Sequence, residues 1–214
     1  MKAGKQPDLR TRLAAAAKQL GLRMPQVQLL LAQERFLFRL AATDEDKNII
    51  WKGGSLILRR YSHMKPPRFT SDIDLLARGL EIAKAEVLIR EAMNLNLEDG
   101  FQFFDIKRTP MERDTPYGGE RIEIAWRFQG KQNSEPLRID LCAGDDVDPE
   151  QVPLNEVYLL DDDSSAATLQ VYPPEFIIAE KVETMVRFKT GNTRLKDFID
   201  IWTLAQLVPR RNGS

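Results

Sequence analysis

Residues 48–55 read Asn-Ile-Ile-Trp-Lys-Gly-Gly-Ser, and Ser71-Asp72-Ile73-Asp74-Leu75 follows beyond a stretch containing Pro66 and Pro67. The first segment has strand character (Asn48–Trp51) and runs straight into two glycines. Glycine is the residue that takes positive φ and close backbone approach at no steric cost, so a tight turn is expected at Gly53-Gly54. Ser55 and the apolar run behind it then enter a helix, Leu56 to about Tyr61. On the second segment, strand period two sends Asp72 and Asp74 to one side and Ile73 and Leu75 to the other. The chain is thereby committed to a strand–turn–helix followed by a strand whose apolar face is buried and whose other face carries two carboxylates.

Each half of this arrangement has a chemical meaning. Backbone N–H groups at a helix N-terminus hold anions, and Gly53, Gly54 and Ser55 supply φ freedom, close approach and a hydroxyl there. Two carboxylates on one strand face repel unless a cation sits between them. A phosphate cradle beside a cation-holding pair describes nucleotidyl transfer. Lys52 and Arg68 are placed to reach phosphate, and Ser71 adjoins the acidic pair. No Walker A run is present. Each feature also has a structural reading, a capped tight turn and a polar strand end, and it is their succession that points to chemistry.

Composition narrows the alternatives. His63 is the only histidine and Cys142 the only cysteine among 214 residues. That excludes multi-histidine and thiolate zinc sites and internal disulfides, and it is consistent with a reducing cytoplasm. Any metal must rest on carboxylates, and hard oxygen ligands favour Mg²⁺ or Mn²⁺. The 31 basic and 32 acidic residues nearly cancel, so a polynucleotide partner would need a local patch rather than a whole-molecule field. The apolar run at Leu29–Leu31 is flanked by Gln28, Gln33, Glu34 and Arg35, and no membrane span is expected.

The remaining periodicities predict helices over Leu9–Leu20, Pro25 to about Leu40, Glu81 to about Leu95, Pro173-Pro174 to about Lys189 and Arg194 to about Leu207. Strands are expected at Asp72–Ala77, Phe101–Arg108, Arg121–Phe128 and Leu137–Cys142, with short edge strands at Val157–Leu160 and Thr168–Val171. Asp145–Pro153 and Asp161–Asp163 read as acidic loops. The fold class is α+β, a mixed β-sheet with flanking helices and a C-terminal helical segment. Residues 1–172 are expected to form the core with its N-terminal helices, and 173–214 the helical segment packing on it.

A nucleotidyl-transfer site built on Asp-x-Asp needs a third acid on a neighbouring strand to close the metal cage. In Leu137-Arg138-Ile139-Asp140-Leu141, Asp140 shares a face with Arg138 opposite the apolar residues, and it is the first candidate; Glu123 is the second.

Lys-Gly-Gly-Ser-Leu at 52–56, Arg-Phe-Thr-Ser-Asp-Ile-Asp-Leu at 68–75, Ile-Ile-Ala-Glu-Lys at 177–181 and Arg-Leu-Lys-Asp-Phe-Ile-Asp-Ile at 194–201 form an ordered pattern. It resembles the AbiEii/AbiGii-type nucleotidyltransferase toxins of the DNA polymerase β-like superfamily, over roughly residues 48–208. The resemblance implies a cytoplasmic, NTP-using enzyme from a type IV toxin–antitoxin or abortive-infection module. It further implies the tRNA 3′ end as acceptor and a cognate antitoxin as partner. By position it assigns Ser55, Asp72 and Asp74 to the first motif, Lys181 to the motif lysine, and Asp197 or Asp200 to the acid of the last helix. The chain has Ser55 where threonine is also common in the family, and it ends soon after Leu207, whereas many relatives carry further helices. Lys181 would neutralise triphosphate charge, on a helix expected to pack through Phe176, Ile177, Met185 and Val186. The last helix is expected to bury Phe198, Ile201, Trp202 and Ala205. Lys52, beside the glycine turn, is expected to be freer than Lys181. Two other readings use the same residues: transfer to a small molecule such as an aminoglycoside, drawn by the acidic loops, and a non-catalytic nucleotide-binding protein, which the intact Asp-x-Asp disfavours.

Overall fold

The computed structural model describes residues 8–45, 47–61, 69–111, 118–144, 147–157, 159–160, 168–188 and 195–206. Arg68 and the acidic segment 161–163 lie outside them. Helix α1 (Leu9–Leu20) starts where the Asp8 carboxylate accepts from the Thr11 N–H at 2.8 Å, and it stops at Gly21, whose φ of 65° lets Leu22 N–H reach back to the Ala17 carbonyl at 3.0 Å. Helix α2 (Met24–Thr43) carries Pro25 in its first turn and is buried along most of its length.

Among the described residues eight strands form one mixed sheet. Its order is β3 (Phe101–Pro110), β4 (Gly119–Phe128), β6 (Leu137–Gly144), β2 (Asp72–Arg78), β1 (Ile49–Lys52), β8 (Thr168–Val171) and β7 (Glu150–Pro153), with the two-residue β5 (Lys131–Gln132) beside β4. The β2–β6 and β1–β8 pairs are parallel and the others antiparallel. Alternation decides which face is covered. Ile122, Ile124 and Trp126 of β4 are buried together with Phe103 of β3. Phe103 meets Phe36 of α2 edge-on at 5.5 Å, and α4 (Ile82–Asn94) reaches β3 through the Glu86–Arg108 ion pair. The opposite face bears Arg121 and Glu123, in register with Asp140 and Arg138 of β6, which are in turn in register with Asp74 and Asp72 of β2.

Two buried ion pairs fix α2 against its surroundings. Arg39 is 1% exposed and holds both Asp99 oxygens at 2.8 and 2.7 Å while donating to the Leu95 and Phe101 carbonyls. Burial pushes the Asp99 carboxyl up, but the hydrogen bonds from Arg39 and Phe101 N–H, with the Arg39 charge, outweigh it and leave the group below its ordinary range. Arg59 of α3 (Gly53–Arg60) pairs with Glu34 at 2.7 Å, and Glu34 also accepts from Leu159 N–H at 2.5 Å.

The sequence misplaces two features. The edge strand expected at Val157–Leu160 lies earlier, at Glu150–Pro153, inside the segment read as loop, and Leu154–Val157 is a 3₁₀ turn. Val152 and Leu154 supply the buried contacts, and Pro153 is tolerated because β7 pairs on one side only. The second concerns α5 (Pro174–Phe188) and α6 (Leu195–Ala205). Of the α5 residues expected inside, Ile177 is 2% exposed, but Phe176 is 39% and Val186 69% exposed. On α6 the expected stripe is turned outward, with Phe198 and Trp202 each 56% exposed and Ala205 exposed too, while Asp197, Asp200, Thr203 and Leu204 are buried. The cause is Lys181 of α5, which pairs with Asp197 at 2.9 Å and Asp200 at 2.8 Å and turns the acidic side of α6 inward.

Candidate functional site

Strand β1 delivers Lys52 beside Asp74 in the antiparallel ladder, and α3 begins at the next residue. Gly53 has φ of 74°, and a Cβ placed on it would lie 2.0 Å from Asp74 Oδ2. The glycine is therefore required twice, by the left-handed backbone and by the carboxylate packed against its Cα. The phosphate-cradling turn and the acidic strand are in this sense one unit. Gly54 and Ser55 are buried, and the Ser55 hydroxyl accepts from the Trp51 indole N–H at 2.8 Å. Ser55 thus braces the turn from inside.

Asp72 and Asp74 are both partly exposed on the open sheet face, while Ile73 and Leu75 are fully buried. Asp72 accepts from the Ser71 hydroxyl at 3.1 Å, and the Ser71 carbonyl is held by the Gln33 side chain at 2.9 Å, which ties the entry of β2 to α2. Parallel register sets Asp140 directly beside Asp74. One row across four strands therefore reads Lys52, Asp74, Asp140, Arg121, and the next reads Asp72, Arg138, Glu123. Glu123 is occupied by Arg138 at 3.2 Å. Arg121 binds Asp140 with both ends of its fork, Nε to Oδ1 at 2.8 Å and an Nη to Oδ2 at 2.9 Å. The Asp140 hydrogen bonds and charge, with smaller contributions from Asp72 and Glu123, raise the Arg121 guanidinium above its already high ordinary value.

Lys52 is not free. Its ammonium donates to Glu180 at 2.6 Å and lies 4.9 Å from the centre of the Tyr172 ring, and the residue is only 9% exposed. Tyr172 also donates to Glu180, at 3.0 Å. Burial first, and then the Glu180 charge and hydrogen bond, push the Tyr172 hydroxyl well up, so it stays a donor at neutral pH. On α5 the residue after Glu180 is Lys181, held between Asp197 and Asp200, whose side chains are 6% and 2% exposed.

The structure thus gathers Lys52, Gly53, Asp72, Asp74 and Asp140 at the carboxyl end of β1 and the entry of β2. It gathers Lys181, Asp197 and Asp200 in a second cluster, joined to the first through Glu180. Arg68 lies outside the described residues. Sequence reasoning missed Arg121, Tyr172 and Glu180. Arg121 shares the polar alternation of β4 with Glu123, and Glu180 stands inside the Ala-Glu-Lys triplet, so both carried a signal.

The donor set suits a divalent cation bound in part by substrate. Among the described residues no three acidic, histidine or cysteine side chains are placed to hold a metal by themselves. Mg²⁺ is commonly held by one or two carboxylates plus substrate phosphates, and the half-exposed pair Asp72 and Asp74 beside an anion-binding turn fits that mode.

A family model described as "Nucleotidyl transferase AbiEii toxin, Type IV TA system" matches residues 35–213. In overall shape the chain is similar to JHP933 from Helicobacter pylori, with a TM-score of 0.50 and 17% identity over 83% of this chain and 66% of that one. A second Helicobacter pylori protein, described as a candidate nucleotidyltransferase, gives a TM-score of 0.50 and 15% identity over 82% of this chain and 68% of that one. This chain thus spans just under two thirds of the first of these structures. No curated protein matches it in sequence.

Proposed function

We propose a specific reaction for this chain, which belongs to the AbiEii nucleotidyl transferase toxin family of type IV toxin–antitoxin systems and is a nucleotidyltransferase: it moves NMP from an NTP to the 3′-terminal hydroxyl of a tRNA. The acceptor oxygen attacks the α-phosphorus in line, the bond from that phosphorus to the β-bridging oxygen breaks, pyrophosphate leaves, and the hydroxyl proton passes to solvent or to a carboxylate at the site. The observation that carries this reading is the union of Gly53 and Asp74, which makes the anion-binding turn and the carboxylate strand a single rigid element. Such a transfer involves little covalent work by the protein and depends on positioning and charge neutralisation.

In this reading the turn residues Gly53 and Gly54 bring backbone N–H groups to the β- and γ-phosphates, and Ser55 supports the turn from below. Lys52 and Arg68 add positive charge, and Ser71 orients Asp72. Asp72 and Asp74 would hold Mg²⁺ or Mn²⁺ together with the substrate phosphates, and Asp140 would join them as third ligand. A cation bound there would supply neutralisation of the phosphate charge and of the departing pyrophosphate. Lys181 brings a preorganised charge to the triphosphate, set in place by Asp197 and Asp200. Membership of a type IV toxin–antitoxin family supports a role in such a module, with an antitoxin as partner. No helix among the described residues is long and apolar enough to cross a membrane.

The test is direct. Purified protein with each α-labelled NTP in turn, Mg²⁺ and total tRNA is expected to give 3′-labelled tRNA and free pyrophosphate, and Asp72→Asn is expected to give neither. Label appearing on an added aminoglycoside and not on tRNA would move the acceptor to a small molecule. Label on no acceptor, with NTP bound, would reduce the protein to a nucleotide-binding role.

A further inference from the structure

The register that sets Asp140 beside Asp74 sets Arg121 on its other side, and the two-point contact engages both Asp140 oxygens. The partners differ in freedom. The Asp140 side chain is 9% exposed and held on a central strand, whereas the Arg121 side chain is 44% exposed and can swing outward. A guanidinium is thus lodged on the carboxylate assigned as third cation ligand, within the field of Asp72 and Glu123 as well.

We propose that Arg121 is a positioning residue that competes with the divalent cation for Asp140: it closes on the carboxylate in the cation-free protein and gives it up when the cation binds. The proposal rests on the reading above, in which Asp72, Asp74 and Asp140 face the cation, and it adds how that site persists without one. Asp74 and Asp140 stand side by side on neighbouring strands with Asp72 two residues away, and like charges so placed repel. Arg121 offsets one of the three. The consequence is a lower cation affinity, because binding through Asp140 must break a charge-assisted bidentate contact. Linkage is reciprocal, so the factor by which Arg121 weakens the cation is the factor by which the cation loosens Arg121. The released fork, still on the open face, has the planar geometry that pairs with a phosphate or a carboxylate.

The experiment uses Mn²⁺ alone, without nucleotide, and reads its dissociation constant by calorimetry on the full chain. Arg121→Gln is expected to bind Mn²⁺ about fivefold or more tightly than the wild type. Arg121→Lys, which keeps the charge but loses the fork, is expected to fall between. In an Asp140→Asn background Arg121→Gln is expected to change nothing, because the shared ligand is gone. Melting supplies a second readout: Arg121→Gln is expected to melt lower than wild type without cation and to gain more from saturating Mn²⁺. Equal or weaker Mn²⁺ binding by Arg121→Gln, or an undiminished gain in the Asp140→Asn background, overturns the competition. If Asp72→Asn abolishes Mn²⁺ binding while Arg121→Gln leaves it unaltered, only the competition fails. If Asp72→Asn leaves Mn²⁺ binding intact, the carboxylate site itself is misassigned and the competition falls with it.

Discussion

At Gly53 the absence of one methyl group decides where Asp74 lies. An alanine there would meet the Asp74 carboxylate at 2.0 Å and would also strain a φ of 74°. The carboxylate would have to move by an ångström or more, and displacements of that size in a positioned group cost about a hundredfold in rate. Gly53→Ala is therefore expected to lower NMP transfer by about two orders of magnitude while far-UV circular dichroism still reports a folded protein; turnover within tenfold of wild type would show that the contact does not set the geometry. Lys52 carries a similar lesson. Next to a glycine turn it is expected to be mobile, yet Glu180 and the Tyr172 ring hold it in place. A preorganised charge contributes at the transition state, where removing one contact typically costs about 3 kcal/mol. Lys52→Ala is accordingly expected to lower turnover by about a hundredfold rather than merely to raise KM for NTP, and steady-state kinetics with turnover unchanged would contradict this.

Helix α6 shows how an element can be recognised correctly and still be turned the wrong way. Its helical period is plain in the sequence, but the apolar stripe at Phe198 and Trp202 suggests a rotation that buries those rings, and the pairing of Lys181 with two acids sets the opposite one. Apolar stripes predict rotation only where burial is the largest force, and two carboxylates around an ammonium that are all nearly out of water leave little choice. Two consequences are measurable. Lys181→Ala leaves Asp197 and Asp200 buried without their shared partner and is expected to cost about 3–5 kcal/mol in urea unfolding, a loss that adding Asp197→Asn and Asp200→Asn should largely restore. Leu204→Ala is expected to cost about 2–5 kcal/mol, whereas Phe198→Ala, more than half exposed, should stay within about 0.5 kcal/mol. The reverse ranking would mean that the helix faces the other way in solution. Strands were more legible than this helix. In β4 the alternate residues Ile122, Ile124 and Trp126 are buried, and in β2 and β6 the polar positions Asp72, Asp74 and Arg138 interrupt otherwise buried runs, so the covered face follows from the pattern. The four residues of β7 have one buried side chain, Val152, and no pattern to read. The carboxylate pair and its glycine turn were legible because they are local in sequence. Arg121 and Glu180 carried a weaker signal, in the polar alternation of β4 and in the Ala-Glu-Lys triplet, because their partners lie 19 and 128 residues away.

At the scale of the whole molecule, α2 and α4 cover one face of the sheet, while the other carries the charged row Lys52, Asp74, Asp140 and Arg121 and meets α5 through the Lys52–Glu180 pair. On the covered side the Arg39–Asp99 pair joins α2 to the segment leading into β3. Because the folded Asp99 carboxyl lies below its unfolded value of about 3.9, its contribution is fully present above that pH and is lost as pH falls through the folded value. Asp99→Ala is expected to lose about 3 kcal/mol at pH 7 by denaturant unfolding, with the gap to wild type closing below about pH 4; a gap independent of pH would mean that Asp99 acts through packing and not charge. On the open side the substitutions that matter are expected to spare the fold, which makes a test in living cells interpretable. The proposed reaction would have a consequence for the host: nucleotides added to tRNA 3′ ends would withdraw those tRNAs from aminoacylation. Expression of the chain alone in bacteria is expected to arrest growth. Asp72→Ala, which removes a carboxylate from the open face and nothing from the core, is expected to be harmless at the same protein level. Equal arrest by both forms would detach toxicity from the Asp72–Asp74 chemistry, and a harmless wild type that still labels an acceptor in vitro would point to a small-molecule substrate in place of tRNA.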